Sequence, residues 1–301
     1  MTTAGSPAVS TNVGRPLLGG RRFSLDWIAT VPFFLYVGLF LVLPTAIIAA
    51  GAFLDANTGF TLDNFNHLSR NYVVQATITT TVVSAITAVL GAALGAILAY
   101  AIATGNPNGV LRRLLVSASG VLAQFGGVTL AFAFIASIGP AGFVYLLFQA
   151  HGFDFYAKSI WLFEPIPGLS VVYLYFQIPL MVLVFLPALD GIKPQWREAT
   201  ESLGGNTWHY WRHVAGPILF PSFLGATLLL FANAFSAYAT ANALINQGAP
   251  VLAQQISNAL SSEVGAVEPG FAKAIAVEMV VIVTVVTVLY SLLQRRTARW
   301  L

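Results

Sequence analysis

The chain is 301 residues long, 57% hydrophobic and 8% charged, with a mean hydropathy of +0.79. Soluble domains carry about 25% Asp, Glu, Lys and Arg, so these values exclude a cytosolic enzyme, a disordered chain and a nucleic-acid-binding module; a formal charge of +3 over this length makes no basic patch. Cysteine is absent, which removes disulfides, thiolate nucleophiles and Cys-based metal sites. What remains is a polytopic membrane protein.

Residues 1–26 open the chain with Gly, Ser, Thr, Pro and Ala, the composition of a disordered tail. Arg21 and Arg22 then anchor the first apolar run. A helix needs about 20 apolar residues to cross a hydrocarbon core of about 30 Å. Taken between successive charges, the uncharged runs predict six crossings, near 27–53, 74–103, 114–138, 168–189, 217–238 and 274–293. The expected architecture is therefore an all-α, six-helix membrane bundle over 27–294, closed by a basic C-terminus at 295–301. Segment 141–152 is apolar but too short to cross, and suits a helix at the interface or a re-entrant element. Segment 239–262 is uncharged but amide-rich, with Asn242, Asn246, Gln247, Gln254, Gln255 and Asn258. It is expected as an irregular excursion, buried in protein or lining an aqueous cavity.

Orientation follows from Lys and Arg. Eleven of the fourteen basic residues fall on the side of the two termini, the 104–113 loop and the 190–217 loop. Arg70, Lys158 and Lys273 fall on the other side, beside six acids. The positive-inside rule makes the first side cytoplasmic.

Catalytic signatures are missing. No GxxxxGK[ST] run cradles a phosphate, and no HExxH run binds zinc. His209 and His213 share a helix face, but the aromatic run around them reads as an interfacial anchor, and no third metal ligand accompanies them. Gly91 and Gly95, flanked by alanines, form a small-residue stripe that lets helices approach closely. Glu278 is the ionisable residue well inside a predicted crossing. It lies roughly 7–8 Å beyond Lys273 at about 1.5 Å per residue and is either a site residue or a carboxylate that meets a polar neighbour. Glu278, Asn233 and Tyr238 are the candidate lining of a translocation path. So little buried charge, with no evident internal repeat, argues against an ion-coupled carrier.

The polar loop 190–217 carries the most information. Pro194 suits a helix start, Gln195 to Leu203 is compatible with helix, and Gly204-Gly205 supplies the stop. A short helix thus projects into the cytoplasm, in a form that another protein could hold. Glu198-Ala199-Thr200, Gly204, Val214 and Pro217 resemble the EAA loop of permease subunits in binding-protein-dependent ABC importers. That pattern reads Glu-Ala-Ala, three residues, Gly, nine residues, an apolar residue, one residue, Leu-Pro. Thr200 stands in place of the second Ala and Gly216 in place of Leu. The loop falls between the fourth and fifth crossings, where the family has it.

The resemblance implies a type I importer permease in the bacterial inner membrane, with both termini cytoplasmic. It implies no catalysis or cofactor in this chain, with ATP and Mg held by two partner ATPase subunits. A second permease, hetero- or homodimeric, and an extracytoplasmic solute-binding protein complete the assembly. Glu198, Ala199, Thr200 and Gly204 become the ATPase-coupling residues. The run Phe60-Thr61-Leu62-Asp63-Asn64-Phe65 and the chain length are similar to permeases for polyamines, phosphonates and ferric iron. The outer-loop acids favour a cation, so a polyamine is the first expectation for the solute. The rival readings are a secondary transporter and a membrane-embedded enzyme or assembly factor with a docking loop.

Overall fold

The computed structural model describes residues 26–55, 59–245, 251–261 and 268–297. Apart from Asp26, the expected N-terminal tail lies outside the described residues, as do 298–301. Among the described residues, six stretches are long and apolar enough to cross a membrane: Thr30–Ala52, Asn71–Ala103, Gly127–Ala150, Pro165–Asp190, Thr207–Phe235 and Pro269–Leu292. The chain divides into two compact units, 1–47 and 48–301.

Helix α1 (Asp26–Val37) passes through a π-helical turn, Gly38–Val42, into α2 (Leu43–Ala52). The turn has a local cause. Pro44 has no amide hydrogen and crowds the carbonyl four residues back, inside the turn. The Thr45 hydroxyl takes up the Leu41 carbonyl at 2.7 Å.

After α2 comes a two-stranded hairpin, β1 (Leu54–Asp55) antiparallel to β2 (Gly59–Phe60), with Leu54 opposite Phe60. A single turn of helix, α3 (Asp63–Asn66), leads to α4 (Asn71–Ala103). Then follow α5 (Val110–Gln124), α6 (Gly127–Ile138), α7 (Phe143–Ala150) and α8 (Pro165–Asp190). Next come α9 (Pro194–Ser202), α10 (Thr207–Tyr210), α11 (Gly216–Phe235) and α12 (Tyr238–Leu244). The last are α13 (Leu252–Leu260) and α14 (Pro269–Thr297).

The core forms where α4 meets α8. Added side chains at Gly91 or Gly95 would collide with α8: at Gly91 with the Gln177 Oε1 at 2.8 Å, at Gly95 with the Met181 Cβ and with the Ile178 carbonyl at 2.8 Å. The glycine stripe therefore sets how closely the two helices pack. Ala88, Ala92 and Ala99 continue the buried face, joined by Val182, Phe185, Leu230 and Ile275. A second cluster gathers Leu130, Leu162, Val172, Phe176 and Ala241. Val89 and Ile97, on the outer face of α4, stay exposed, as side chains in contact with hydrocarbon should.

Three expectations change. The third crossing, expected over 114–138, is interrupted: Phe125 and Gly126 leave the helix and Gly127 takes a positive φ of 71°. The apolar stretch that replaces it is Gly127–Ala150, built from α6 and the separate short helix α7. Segment 239–262 is helical rather than irregular where it is described, as α12 and α13, while 246–250 and 262–267 lie outside the described residues. It is buried in part: Thr240, Ala241, Leu244, Leu252 and Gln254 are inaccessible, whereas Asn242 and Asn258 are exposed. The Thr80 hydroxyl on α4 accepts the Leu252 amide at 2.9 Å, so a neighbouring helix caps α13. Finally, α14 runs through Arg295 and Arg296 to Thr297 instead of ending at 294.

Candidate coupling and translocation site

The 190–217 loop holds its shape by local chemistry. Lys193 is extended, as a residue before proline must be, and Pro194 occupies the first helical turn, where no amide donor is needed. Arg197 and Glu201 pair one turn apart at 3.0 Å, and that hydrogen bond, with the charge behind it, holds the Arg197 guanidinium above its usual value. The Thr200 and Ser202 hydroxyls bond back to the carbonyls of Trp196 and Glu198.

The end of α9 is a complete Schellman turn. The Gly205 amide donates to the Thr200 carbonyl at 2.9 Å and the Gly204 amide to the Glu201 carbonyl at 3.0 Å. Gly204 has φ +80°, yet a Cβ there would meet nothing within 4 Å; its requirement is conformational, not one of space. Gly205 is the position without room: a Cβ would lie 2.7 Å from the Thr200 Cγ2 and 2.9 Å from its carbonyl oxygen. Asn206 then caps the next helix, its Oδ1 accepting the His209 amide at 3.0 Å.

A π-helical turn, Trp211–Ala215, joins α10 to α11, and the Trp211 ring meets Tyr100 of α4 edge-on at 5.3 Å. Gly216, the departure from the EAA pattern, has a reason here: a Cβ would run into the Trp211 carbonyl. Arg112 at the start of α5 pairs with Asp190 at the end of α8 at 2.5 Å, which brings the two basic loops to one end of the bundle.

This leaves a projecting element. Glu198 and Ala199 are exposed, and the Glu198 carboxylate makes no bond among the described residues. Leu203, which sequence reasoning passed over, is 89% exposed at the tip, although a leucine closing a polar helix was itself a legible signal. An acid, a small residue and a bare leucine are thus all exposed between positions 198 and 203.

The break between α5 and α6 opens a cavity of about 470 Å³, lined by Gln124, Gly126, Gly127, Asn233, Ser236 and Tyr238, among others. Non-helical backbone at membrane depth is tolerated where it lines such a space. Gly127 is tied from its carbonyl to the Thr240 hydroxyl at 3.2 Å, and the Tyr238 hydroxyl donates to Ser257 at 3.0 Å. The carboxamides of Gln124 and Asn233 make no side-chain bond among the described residues. Two of the three expected path residues, Asn233 and Tyr238, thus share one cavity. Glu278 is not in its lining. Its Oε1 accepts the Thr77 hydroxyl of α4 at 2.8 Å, and its Oε2 is buried without a partner among the described residues. His209 and His213 stack at 6.1 Å, with their Nδ1 atoms against Asn206 and the His209 carbonyl, and among the described residues no third ligand joins them.

Residues 130–299 match the family described as binding-protein-dependent transport system inner membrane component. The thiamine transport system permease protein ThiP of Escherichia coli K12 is 27% identical over 111 residues, 36% of this chain and 20% of that protein. Its Salmonella typhimurium counterpart is 26% identical over a segment of the same length. The chain spans about a fifth of the length of these curated relatives. A chain from the crystal structure of a bacterial ABC transporter that imports the acidic polysaccharide alginate superposes with a TM-score of 0.73 at 17% identity, covering 90% of this chain and 95% of that one. A chain of the inward-facing MetNI methionine ABC transporter superposes at 0.54 with 15% identity, covering 74% and 95%. At these identities the structural likeness speaks to the fold.

Proposed function

Because this chain belongs to the family of binding-protein-dependent transport system inner membrane components, we propose that it lines one half of the solute path of an ATP-driven importer and is driven through α9. It is a multi-pass inner-membrane protein with the ABC importer permease fold. The observation that carries the coupling role is the projecting turn, with Glu198, Ala199 and Leu203 free at its surface and Gly204 turning the chain behind them. ATP and Mg would be held by two separate ATPase subunits, and the work of this chain is non-catalytic. A second permease and an extracytoplasmic binding protein complete the assembly, and both termini face the cytoplasm.

The solute is read from the cavity. Its side chains offer carboxamides, hydroxyls and the Phe176 ring, which suits a small organic solute that forms hydrogen bonds. The likeness to a thiamine permease points the same way. A polyamine rests on the likeness of residues 60–65 and the chain length to a group of permeases for several solutes, and on outer-loop charge, which positive-inside sorting also produces.

Affinity purification of the tagged chain from its own membranes, followed by mass spectrometry, tests the assembly. The expected companions are a P-loop ATPase and a second permease. Glu198→Lys should lower ATPase recovery and uptake while membrane abundance holds, since the exposed site lies outside every crossing. Recovery and uptake at wild-type level would overturn the role of α9.

A further inference from the structure

At the other end of the bundle from the amide-rich helices, the last turns of α4 and α8 and the first turns of α11 enclose a second cavity, of about 350 Å³. Its body is apolar, built from Ile97, Phe185, Leu189 and Leu219, and its rim is formed by Tyr100 and Trp211. Ile97 is 66% exposed and Phe220 44%, so the space is open on one side. An apolar void of about 150 Å³ already stays dry and takes up benzene, and this one is more than twice that size. Left empty, its lining forfeits its dispersion contacts.

The cavity is lined from three stretches long and apolar enough to cross a membrane, so its open side is within reach of acyl chains. The Tyr100–Trp211 pair marks the level where aromatic side chains meet headgroups. Directly after Trp211 stand Arg212 and His213, both exposed, a basic step at headgroup height. An apolar slot with Tyr100 and Trp211 in its lining and an exposed arginine next in the chain suits an acyl chain whose phosphate meets a guanidinium. We propose that this cavity holds one acyl chain of an anionic phospholipid from the cytoplasmic leaflet, with its phosphate at Arg212. The lipid then props Trp211, and with it the short segment that carries α9 into α11.

The test uses the full-length chain in vesicles that contain phosphatidylglycerol or phosphatidylcholine brominated on the acyl chain. The Trp211 fluorescence is isolated as the difference between wild type and Trp211→Phe. The expected result is saturable quenching of that component at a low fraction of brominated phosphatidylglycerol, and weaker quenching by brominated phosphatidylcholine. Ala96→Phe, which fills the slot, should abolish the saturable phase, and Arg212→Gln should abolish the preference for phosphatidylglycerol. Native mass spectrometry, which does not depend on Trp211→Phe folding, should find one phosphatidylglycerol retained by wild type and lost in Ala96→Phe. Quenching unchanged by Ala96→Phe would mean bulk lipid alone. No quenching, with Ala96→Phe breaking a contact between chains, would mean that protein covers the slot. Either outcome overturns the proposal, and neither depends on the ATPase assignment.

Discussion

Gly204 and Gly205 are adjacent, and each is glycine for a different reason. At φ +80° an ordinary L residue costs about 1–2 kcal/mol, a β-branched one more, whereas Asn visits this region readily. Gly204→Val should therefore unwind the end of α9 and lower ATPase recovery, while Gly204→Asn keeps both, as judged by pull-down with matched membrane abundance. Gly205→Ala should behave like Gly204→Val through collision with Thr200, part of which is backbone and cannot move aside. Equal recovery for Val and Asn at 204 would mean that the turn does not matter to docking.

Glu278 makes a second argument at this scale. Its hydrogen bond with Thr77 ties α14 to α4. Glutamine can keep that bond, since its amide can donate to the Thr77 hydroxyl, which also lies 3.0 Å from the Val73 carbonyl. Thr77→Val leaves a buried carboxyl group without a donor, at a cost of about 1–3 kcal/mol. Thermal unfolding in detergent should rank Thr77→Val well below Glu278→Gln, and Glu278→Gln should retain uptake. Loss of uptake in stably folded Glu278→Gln would place this residue in the solute path, as the sequence led one to expect.

At the scale of elements, the contact of α4 with α8 determines the rest. Gly95 faces the Met181 side chain and the Ile178 carbonyl with no space between them. Gly95→Leu must part the two helices. Overpacking of this kind typically costs about 1–3 kcal/mol, so the purified protein should melt earlier than wild type. Val89→Leu, on the exposed face of the same helix, should melt with wild type. Matching melting points for the two variants would show that α4 and α8 do not meet through this stripe. The break between α5 and α6 belongs to this scale too, since it places Gln124 and Gly127 across from Asn233 and Tyr238.

The whole molecule has a sidedness, and Arg112 with Asp190 already joins two loops assigned to the same face. The chain has no cysteine, so single cysteines report without background. Ser202→Cys and Ser261→Cys are both at exposed positions. In intact cells a membrane-impermeant maleimide should label 261 and spare 202, and permeabilisation should expose 202. The reverse pattern would invert the topology drawn from Lys and Arg.

The number of apolar crossings, the positions of five of them, the helix that starts at Pro194 and its glycine stop were determined by sequence alone, because each rests on short-range physics. Apolar length against bilayer thickness, proline at a helix start and glycine at positive φ all act within one segment. The small-residue stripe on α4 was legible for the same reason, although its partner was not. What only the tertiary structure decided concerns residues far apart in the chain: that Thr80 caps α13, that Thr77 on α4 donates to Glu278 on α14, and that a crossing expected to be continuous breaks at Phe125 and Gly126. A hydrophobic run has the same pattern whether its helix is straight or interrupted. The interruption is stable only because other helices surround it, with Thr240 bonded to the Gly127 carbonyl, and no window of sequence contains both partners.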